Sequence, residues 1–300
     1  RYGGERAGRK GARVVSRDGA EGVRHRGGRS WIGRIQDALD HDRLHLDIQP
    51  IVPLSSDCEH EGEHFEVLVR MTDADGSIVA PGQFLPVAER YNLAPRIDRW
   101  VISTTLKWLS SHPEQLESLS MCSINLSGLS LTEEQFPEFI LSAFKETGVP
   151  AAKICFEITE TAAISNLTSA TNLVSKLREA GCRFALDDFG SGLSSFGYLK
   201  QLPVEFVKID GMFVRDILED PIDLQMVRSI NEMAHVLGKR TIAEFVENDA
   251  IFEALRAIGV DYAQGYGVGH PRAMASLQTA HVVPAPIPRR AVRCSASRVA

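Results

Sequence analysis

The feature that most constrains this chain is a regular alternation of two hydrophobic periods. Eight short runs rich in β-branched and aromatic residues are interleaved with longer stretches in which apolar residues recur at helical spacing. The runs predicted as strands are Leu44–Val52, Phe65–Arg70, Met121–Asn125, Ile154–Thr159, Arg183–Asp187, Phe206–Asp210, Arg240–Val246 and Asp261–Gly265. Predicted helices fill Pro81–Tyr91, Arg96–Ser111, Thr132–Thr147, Ser169–Gly181, Asp223–Leu237 and Ala250–Gly259, several ending at or just before glycine. Such alternation over about 250 residues restricts the chain to an α/β fold. Its sheet is either closed as a TIM-like (β/α)8 barrel or open and doubly wound.

Polar residues choose between the two. Glu66, Asn125, Glu157, Asp187, Asp210, Glu244 and Gln264 each fall at or near the C-terminal end of a different predicted strand. An open sheet would spread them along an edge, whereas a closed barrel converges them on one mouth, so the barrel is expected.

A single acid after a strand is ordinarily a helix cap or a turn residue. Here five carboxylate positions recur, many in apolar frames such as Ile154–Cys155–Phe156–Glu157–Ile158 and Val207–Lys208–Ile209–Asp210. A carboxylate in such a frame can point inward, where burial is costly without a partner and converging anions raise one another's pKa unless a cation intervenes. Oxygen donors with no His or Cys among them suit Mg2+ or Mn2+ rather than zinc. The adjacent Asp187 and Asp188 can serve two ions about 3.5–4 Å apart, the spacing used by two-metal phosphoester hydrolases. Lys208, two residues before Asp210 on the same strand face, sets one positive charge beside the cluster; a Lys–Asp pair that merely holds the fold is the competing reading.

The overall charge of −6 conceals a strong asymmetry. Residues 1–30 carry nine Arg or Lys against three acids and residues 281–300 carry four Arg and no acid, leaving the body with 20 bases and 36 acids, a net of −16. That balance argues against nucleic acid as a partner, because duplex binding draws on a basic footprint. The domain division expected is a linker or remnant of a preceding domain over 1–30, one catalytic domain over 31–280 and a flexible basic tail over 281–300. Five cysteines (Cys58, Cys122, Cys155, Cys182, Cys294) without CxxC or Cys/His clustering read as reduced thiols. No apolar run reaches about eighteen residues, so no membrane contact is expected from this segment. A cytoplasmic location is expected, free or as part of a membrane-attached protein with a fused membrane or sensor domain.

The ordered motifs resemble the EAL-domain family from roughly Trp31 to Met274. They are Gln49–Pro50–Ile51–Val52, Glu66–Val67–Leu68–Val69–Arg70, Pro81–Gly82–Gln83–Phe84 with Ala88–Glu89, Ile124–Asn125–Leu126–Ser127, Glu157–Ile158–Thr159–Glu160, Asp187–Asp188–Phe189–Gly190–Ser191–Gly192, Lys208–Ile209–Asp210, Ala243–Glu244–Phe245–Val246–Glu247 and Gln264–Gly265–Tyr266. The resemblance implies metal-dependent hydrolysis of cyclic-di-GMP to linear pGpG and a barrel whose first strand is antiparallel to the rest. It implies Glu66, Asn125, Glu157, Asp187 and Asp188 as ligands of two Mg2+ or Mn2+ ions. Glu244 is implied as general base or ligand, Lys208 as the group positioning the attacking water, and Asp210 as a support of that network. Arg70 is implied at a substrate phosphate, where a guanidinium fork fits, and Gln49, Glu247 and Gln264 as substrate-orienting groups. Glu160, Gly190 and Gly192 are implied to couple the site to a homodimer through the loop after Asp188.

The sequence departs from the family pattern at Val67, at Phe245 where Gly is often found, and at Ser191–Gly192–Leu193 where Thr-Gly-Tyr is common. Strand alternation directs the Phe245 ring away from Glu244 toward the surrounding helices. Residues 1–30 also resemble the end of a GGDEF domain in Ala7–Gly8–Arg9–Lys10 and Arg13–Val14–Val15, which implies a tandem protein. Two other functions compete: a catalytically silent cyclic-di-GMP sensor that signals through a partner, and a metal-dependent barrel acting on enols or sugar phosphates. The first ordinarily accompanies loss of ligand positions, and none is lost here; the second leaves the ordered motifs unexplained.

Overall fold

A computed structural model describes residues 31–54, 62–191 and 196–279. The leading segment, the basic tail, Cys58, Cys294 and Gly192 lie outside the described residues. In chain order the elements begin with α1 (residues 31–40), β1 (Leu44–Pro53), β2 (Glu63–Thr72), β3 (Ile78–Val79), α2 (Pro81–Arg90), α3 (Ala94–Ser111) and α4 (Pro113–Ser118). They continue with β4 (Leu119–Leu126), α5 (Phe136–Thr147), β5 (Ile154–Thr159), α6 (Glu160–Ser165), α7 (Leu167–Glu179), β6 (Arg183–Phe189) and α8 (Phe196–Leu199). The last are β7 (Phe206–Ile209), α9 (Gly211–Val214), α10 (Pro221–Val236), β8 (Arg240–Ala243), α11 (Asp249–Ile258), β9 (Tyr262–Gln264) and β10 (Arg272–Ala273). These elements fall into two compact units, one with Leu46–Val69 and the residues from Asp98 on, the other with the residues up to His45 and Arg70–Ile97.

The larger unit contains the barrel. Neighbouring strands run β1-β9-β8-β7-β6-β5-β4-β2, and a β1–β2 pairing closes the ring at eight. Every pair from β2 through β4 to β9 is parallel, while β1 meets β9 antiparallel with Ile51 opposite Gln264 and Val52 opposite Ala263. The closed barrel and its one reversed strand agree with the expectation. Helices present apolar residues at spacings of three and four: α7 buries Ala170, Leu173, Val174 and Leu177, and α10 buries Val227, Ile230 and Ala234. Turns that leave the strands carry their own caps. The Thr159 side chain accepts from Ala162 N, Asp210 from Met212 N and Asn248 from Ile251 N, starting α6 and α9 directly after β5 and β7 and α11 after a short loop that follows β8.

The smaller unit places β3 antiparallel to the end of β2, Met71 opposite Val79 and Thr72 opposite Ile78. It buries Ile35, Ala38, Met71, Val79, Phe84 and Ala88. Arg34 grips Asp73 with two bonds, Nη2 to Oδ2 at 2.7 Å and Nε to Oδ1 at 3.3 Å.

The predicted strand Arg240–Val246 is shorter in fact. β8 ends at Ala243, and Phe245, two residues beyond it, takes a left-handed backbone (φ +53°). β2 extends beyond its predicted bounds at both ends, and Glu66 sits in its first half rather than near its C-terminal end. Among the described residues no helix is long and apolar enough to cross a membrane, and Cys122, Cys155 and Cys182 are free and buried.

Candidate active site

A shift of two residues along each barrel strand turns an apolar floor into a polar mouth. The floor is one buried cluster with a single residue from each of seven strands: Ile51, Met121, Cys155, Ala185, Phe206, Ile242 and Tyr262. Strand side chains alternate with period two, so the next residues on the same side are Ser123, Glu157, Asp187, Lys208, Glu244 and Gln264. On the reversed strand β1 the step runs backwards, from Ile51 to Gln49. Glu66 joins them from β2, in register with Ser123. Glu244 lies one residue past β8 but keeps the barrel direction, because its N–H donates to Ile209 O at 3.2 Å.

Lys208 is the hub. Its side chain is 1% exposed, and Nζ lies 2.6 Å from Glu157 Oε2, 2.9 Å from Glu244 Oε1, 3.0 Å from Asp187 Oδ1 and 3.6 Å from Glu66 Oε2. Amides tie both oxygens of Glu66. Asn125 Nδ2 donates to Glu66 Oε1 at 2.5 Å and Gln264 Nε2 to Glu66 Oε2 at 2.6 Å. Gln264 also donates to Gln49 Oε1 (3.3 Å), and Gln49 Nε2 donates to Gly269 O (3.1 Å). The site is therefore one connected network drawn from β1, β2, β4, β5, β6, β7, β8 and β9.

Its charges do not balance. Burial works against the Lys208 ammonium, yet Asp187, Glu157, Glu244 and Glu66 outweigh it and hold its pKa well above the usual lysine range. Burial pushes Glu157 up to about 8 despite Lys208, with Glu66 and Asp187 adding to the rise. Burial likewise drives Glu244 well above the carboxylate range. Asp188 is pushed up to about 6 by burial and by Asp187 and Asp210. One ammonium among this many carboxylates leaves an excess of negative charge that the site meets by holding protons, or would meet by taking a cation.

Two observations show that a divalent cation fits. Asp187, Asp188 and Glu244 can bring carboxylate oxygens within 4.8 Å of one another, and Glu157 Oε1 is buried with no hydrogen-bond partner. All donors are hard oxygens. Asp188 reaches the mouth from a left-handed backbone (φ +53°), a conformation that Asp tolerates better than most residues. Its N–H donates to Asp187 Oδ1 at 3.0 Å, which ties the Asp187 carboxylate to the Asp188 backbone.

The other predicted residues are distributed as follows. Asp210 Oδ1 accepts from Met212 N at 2.8 Å, so this carboxylate caps α9 while its charge still reaches Asp188. Glu160 is 1% exposed and accepts from Gly190 N at 3.0 Å. Glu247 is exposed. Arg70 follows Glu66 by four residues on β2, half-buried, in the stretch that belongs to the smaller unit.

Phe245 corrects an expectation. It lies beyond the strand on a left-handed backbone, so alternation is not what orients it, yet its ring does meet a surrounding helix at the start of α9. The side chain is 46% exposed, the Arg215 guanidinium stacks 4.2 Å from its centroid, and the ring lies against Gly211, where a Cβ would fall 2.0 Å from a ring carbon. Glu244 stays paired with Lys208. Sequence reasoning also missed Asp98 on α3, whose Oδ2 accepts from Ser127 N (2.9 Å), Ser127 Oγ (2.7 Å) and Ser130 Oγ (2.7 Å), anchoring the loop that follows Asn125. The neighbouring Ile97–Asp98–Arg99 reads as an ordinary helix surface, and only the buried face of α3 reveals it.

The fold and its mouth define a class: an α/β barrel with one reversed strand and an acid, amide and lysine network suited to divalent cations. Within that class the chain belongs to the EAL domain family, whose model matches residues 32–271. It is 44% identical over 246 residues to the cyclic di-GMP phosphodiesterase PdeB of Shewanella oneidensis, covering 82% of this chain and 28% of that protein. It is 34% identical to the cyclic di-GMP phosphodiesterase PdeF of Escherichia coli, covering 88% of this chain and 34% of that protein. The chain thus spans about a third of the length of these curated relatives. Among solved structures it resembles the FimX EAL domain of Pseudomonas aeruginosa bound to c-di-GMP, at 33% identity and a TM-score of 0.74, covering 80% of this chain and 96% of that one.

Proposed function

We propose that this EAL domain is a phosphodiesterase that hydrolyses one phosphodiester bond of cyclic-di-GMP, giving linear pGpG. The observation that carries the reading is Lys208 enclosed by Glu157, Glu244, Asp187 and Glu66, with every ligand-type position of the family pattern filled. The names of the curated relatives support the substrate. In this reading Glu66, Asn125, Glu157, Asp187 and Asp188 hold one or two Mg2+ or Mn2+ ions. When bound, these would neutralise the phosphate and make water a better nucleophile.

Once a cation offsets the excess negative charge Glu244 would be ionised, and it receives the proton of the attacking water on a carboxylate oxygen. Lys208 fixes that carboxylate from 2.9 Å and keeps its own proton, because the surrounding acids hold it charged. Arg70 offers a guanidinium fork to a phosphate. Gln49, Gln264 and Glu247 orient the substrate, while Asp210 keeps β7 and α9 aligned. Glu160, Gly190 and Gly192 set the loop after Asp188, through which a second copy of the chain would act on the site.

The test is incubation of the purified 300-residue protein with cyclic-di-GMP and Mg2+ or Mn2+. Formation of pGpG is expected. Binding without product under either metal would overturn the reading in favour of a silent sensor.

A further inference from the structure

The network contains a residue outside the family pattern used above, Tyr198. Glu160 lies on the far side of the Asp187–Asp188 strand from Lys208, at the start of α6, and its carboxylate is almost fully buried. One oxygen, Oε2, accepts from Gly190 N at 3.0 Å, two residues after Asp188. The other, Oε1, accepts from the Tyr198 hydroxyl on α8. Residues 190 and 198 flank the segment that follows the metal-ligand pair, so a single carboxylate holds both flanks. Burial and the bond to Glu160 push the Tyr198 hydroxyl well above its ordinary range, so it remains a proton donor at any working pH.

Gly190 has little freedom to compensate. Its φ is +102°, and a Cβ there would fall 2.7 Å from the Phe213 ring and 3.2 Å from Ile230. Glu160 is therefore one of the contacts that set Gly190, together with Phe213 and Ile230, and through Gly190 it bears on Asp188 two residues before.

We infer that Tyr198 is a positioning residue for cation binding: by fixing the Glu160 carboxylate it sets Gly190 and the Asp187–Asp188 pair. The inference rests on the metal-dependent reading above. Loss of an outer hydrogen-bond partner of a metal site costs about 10- to 100-fold in affinity, and Tyr198 acts through an intermediary, so the low end applies.

The experiment is calorimetric titration of Mn2+ into the wild type, Tyr198→Phe, Glu160→Ala and the double variant, with melting curves to confirm folding. Tyr198→Phe keeps the ring and is expected to weaken Mn2+ binding about tenfold while the KM for cyclic-di-GMP stays within about twofold. In the Glu160→Ala background the same change is expected to add little, because the route through Glu160 is already broken. Unchanged Mn2+ affinity in Tyr198→Phe, or a full further loss in the double variant, would overturn the inference. Absence of turnover in a wild type that binds Mn2+ normally would defeat the phosphodiesterase reading alone, and the titrations would still decide the role of Tyr198.

Discussion

Replacing Lys208 by Met removes the charge at the centre of the site while nearly preserving side-chain volume. In the wild type the ammonium lies within 3.0 Å of Glu157, Glu244 and Asp187, with almost no solvent access. Without it, at least one further carboxylate must be held neutral. A Glu carboxyl has an ordinary pKa of 4.5, so keeping it protonated at a buffer pH of about 7.5 costs about 4 kcal/mol, from three pKa units at ~1.36 kcal/mol each. This agrees with the ~3–5 kcal/mol expected when a buried ion pair loses one partner. For a domain of this size it corresponds to a fall of roughly 8–16 °C in the metal-free melting temperature. At a buffer pH of about 5.5 only one unit separates buffer and carboxyl, and the penalty shrinks to about 1.4 kcal/mol. Thermal melting in chelator at the two pH values tests this. Equal melting temperatures for variant and wild type at the higher pH, or a gap that widens on acidification, would refute the reasoning.

Three further predictions concern the same network and Phe245. Asp188 and Glu157 are raised to about 6 and about 8 from ordinary values of 3.8 and 4.5. Their contribution to metal-free stability is therefore full in acid and lost as pH rises through 6 and then 8. The increase in melting temperature on adding saturating Mn2+ should accordingly grow from pH 5 to pH 9, and an increase independent of pH would count against a cation held by these groups. Phe245→Gly relieves a left-handed backbone worth about 1 kcal/mol and loses an Arg215 contact worth about 0.5–1 kcal/mol, so stability and turnover should change little, turnover by less than about threefold. Gly211→Ala should cost about 1–3 kcal/mol by crowding the Phe245 ring and recover most of it when combined with Phe245→Gly, as read in a double-mutant melting cycle.

Much of the site was legible because the barrel repeats one local rule. Cys155 to Glu157, Ala185 to Asp187 and Phe206 to Lys208 each step from apolar to polar over two residues of a β-type run, which marks both the inward face and its open end. The reversal of β1 carries no such signal, since alternation is the same in either direction, and it entered only through the family resemblance. The enclosure of Lys208 was read as one charge beside a cluster. Its contacts with four carboxylates depend on register between strands far apart in the chain. The left-handed backbone of Phe245 was missed because such a residue looks like any other position in an apolar run. The short helices α6, α8 and α9 span less than two turns and show no helical period. Asp98 and Tyr198 act through partners distant in sequence, and nothing local distinguishes them.

The central claim is that this mouth hydrolyses cyclic-di-GMP with Glu244 as base, and one paired measurement tests it directly. Turnover and calorimetric binding of cyclic-di-GMP would be followed for wild type and Glu244→Gln in Mn2+. The account predicts pGpG from the wild type, and from the variant a loss of turnover by at least about 100-fold with binding within about threefold. A wild type that binds without producing pGpG, or a variant that turns over as fast as the wild type, would contradict it.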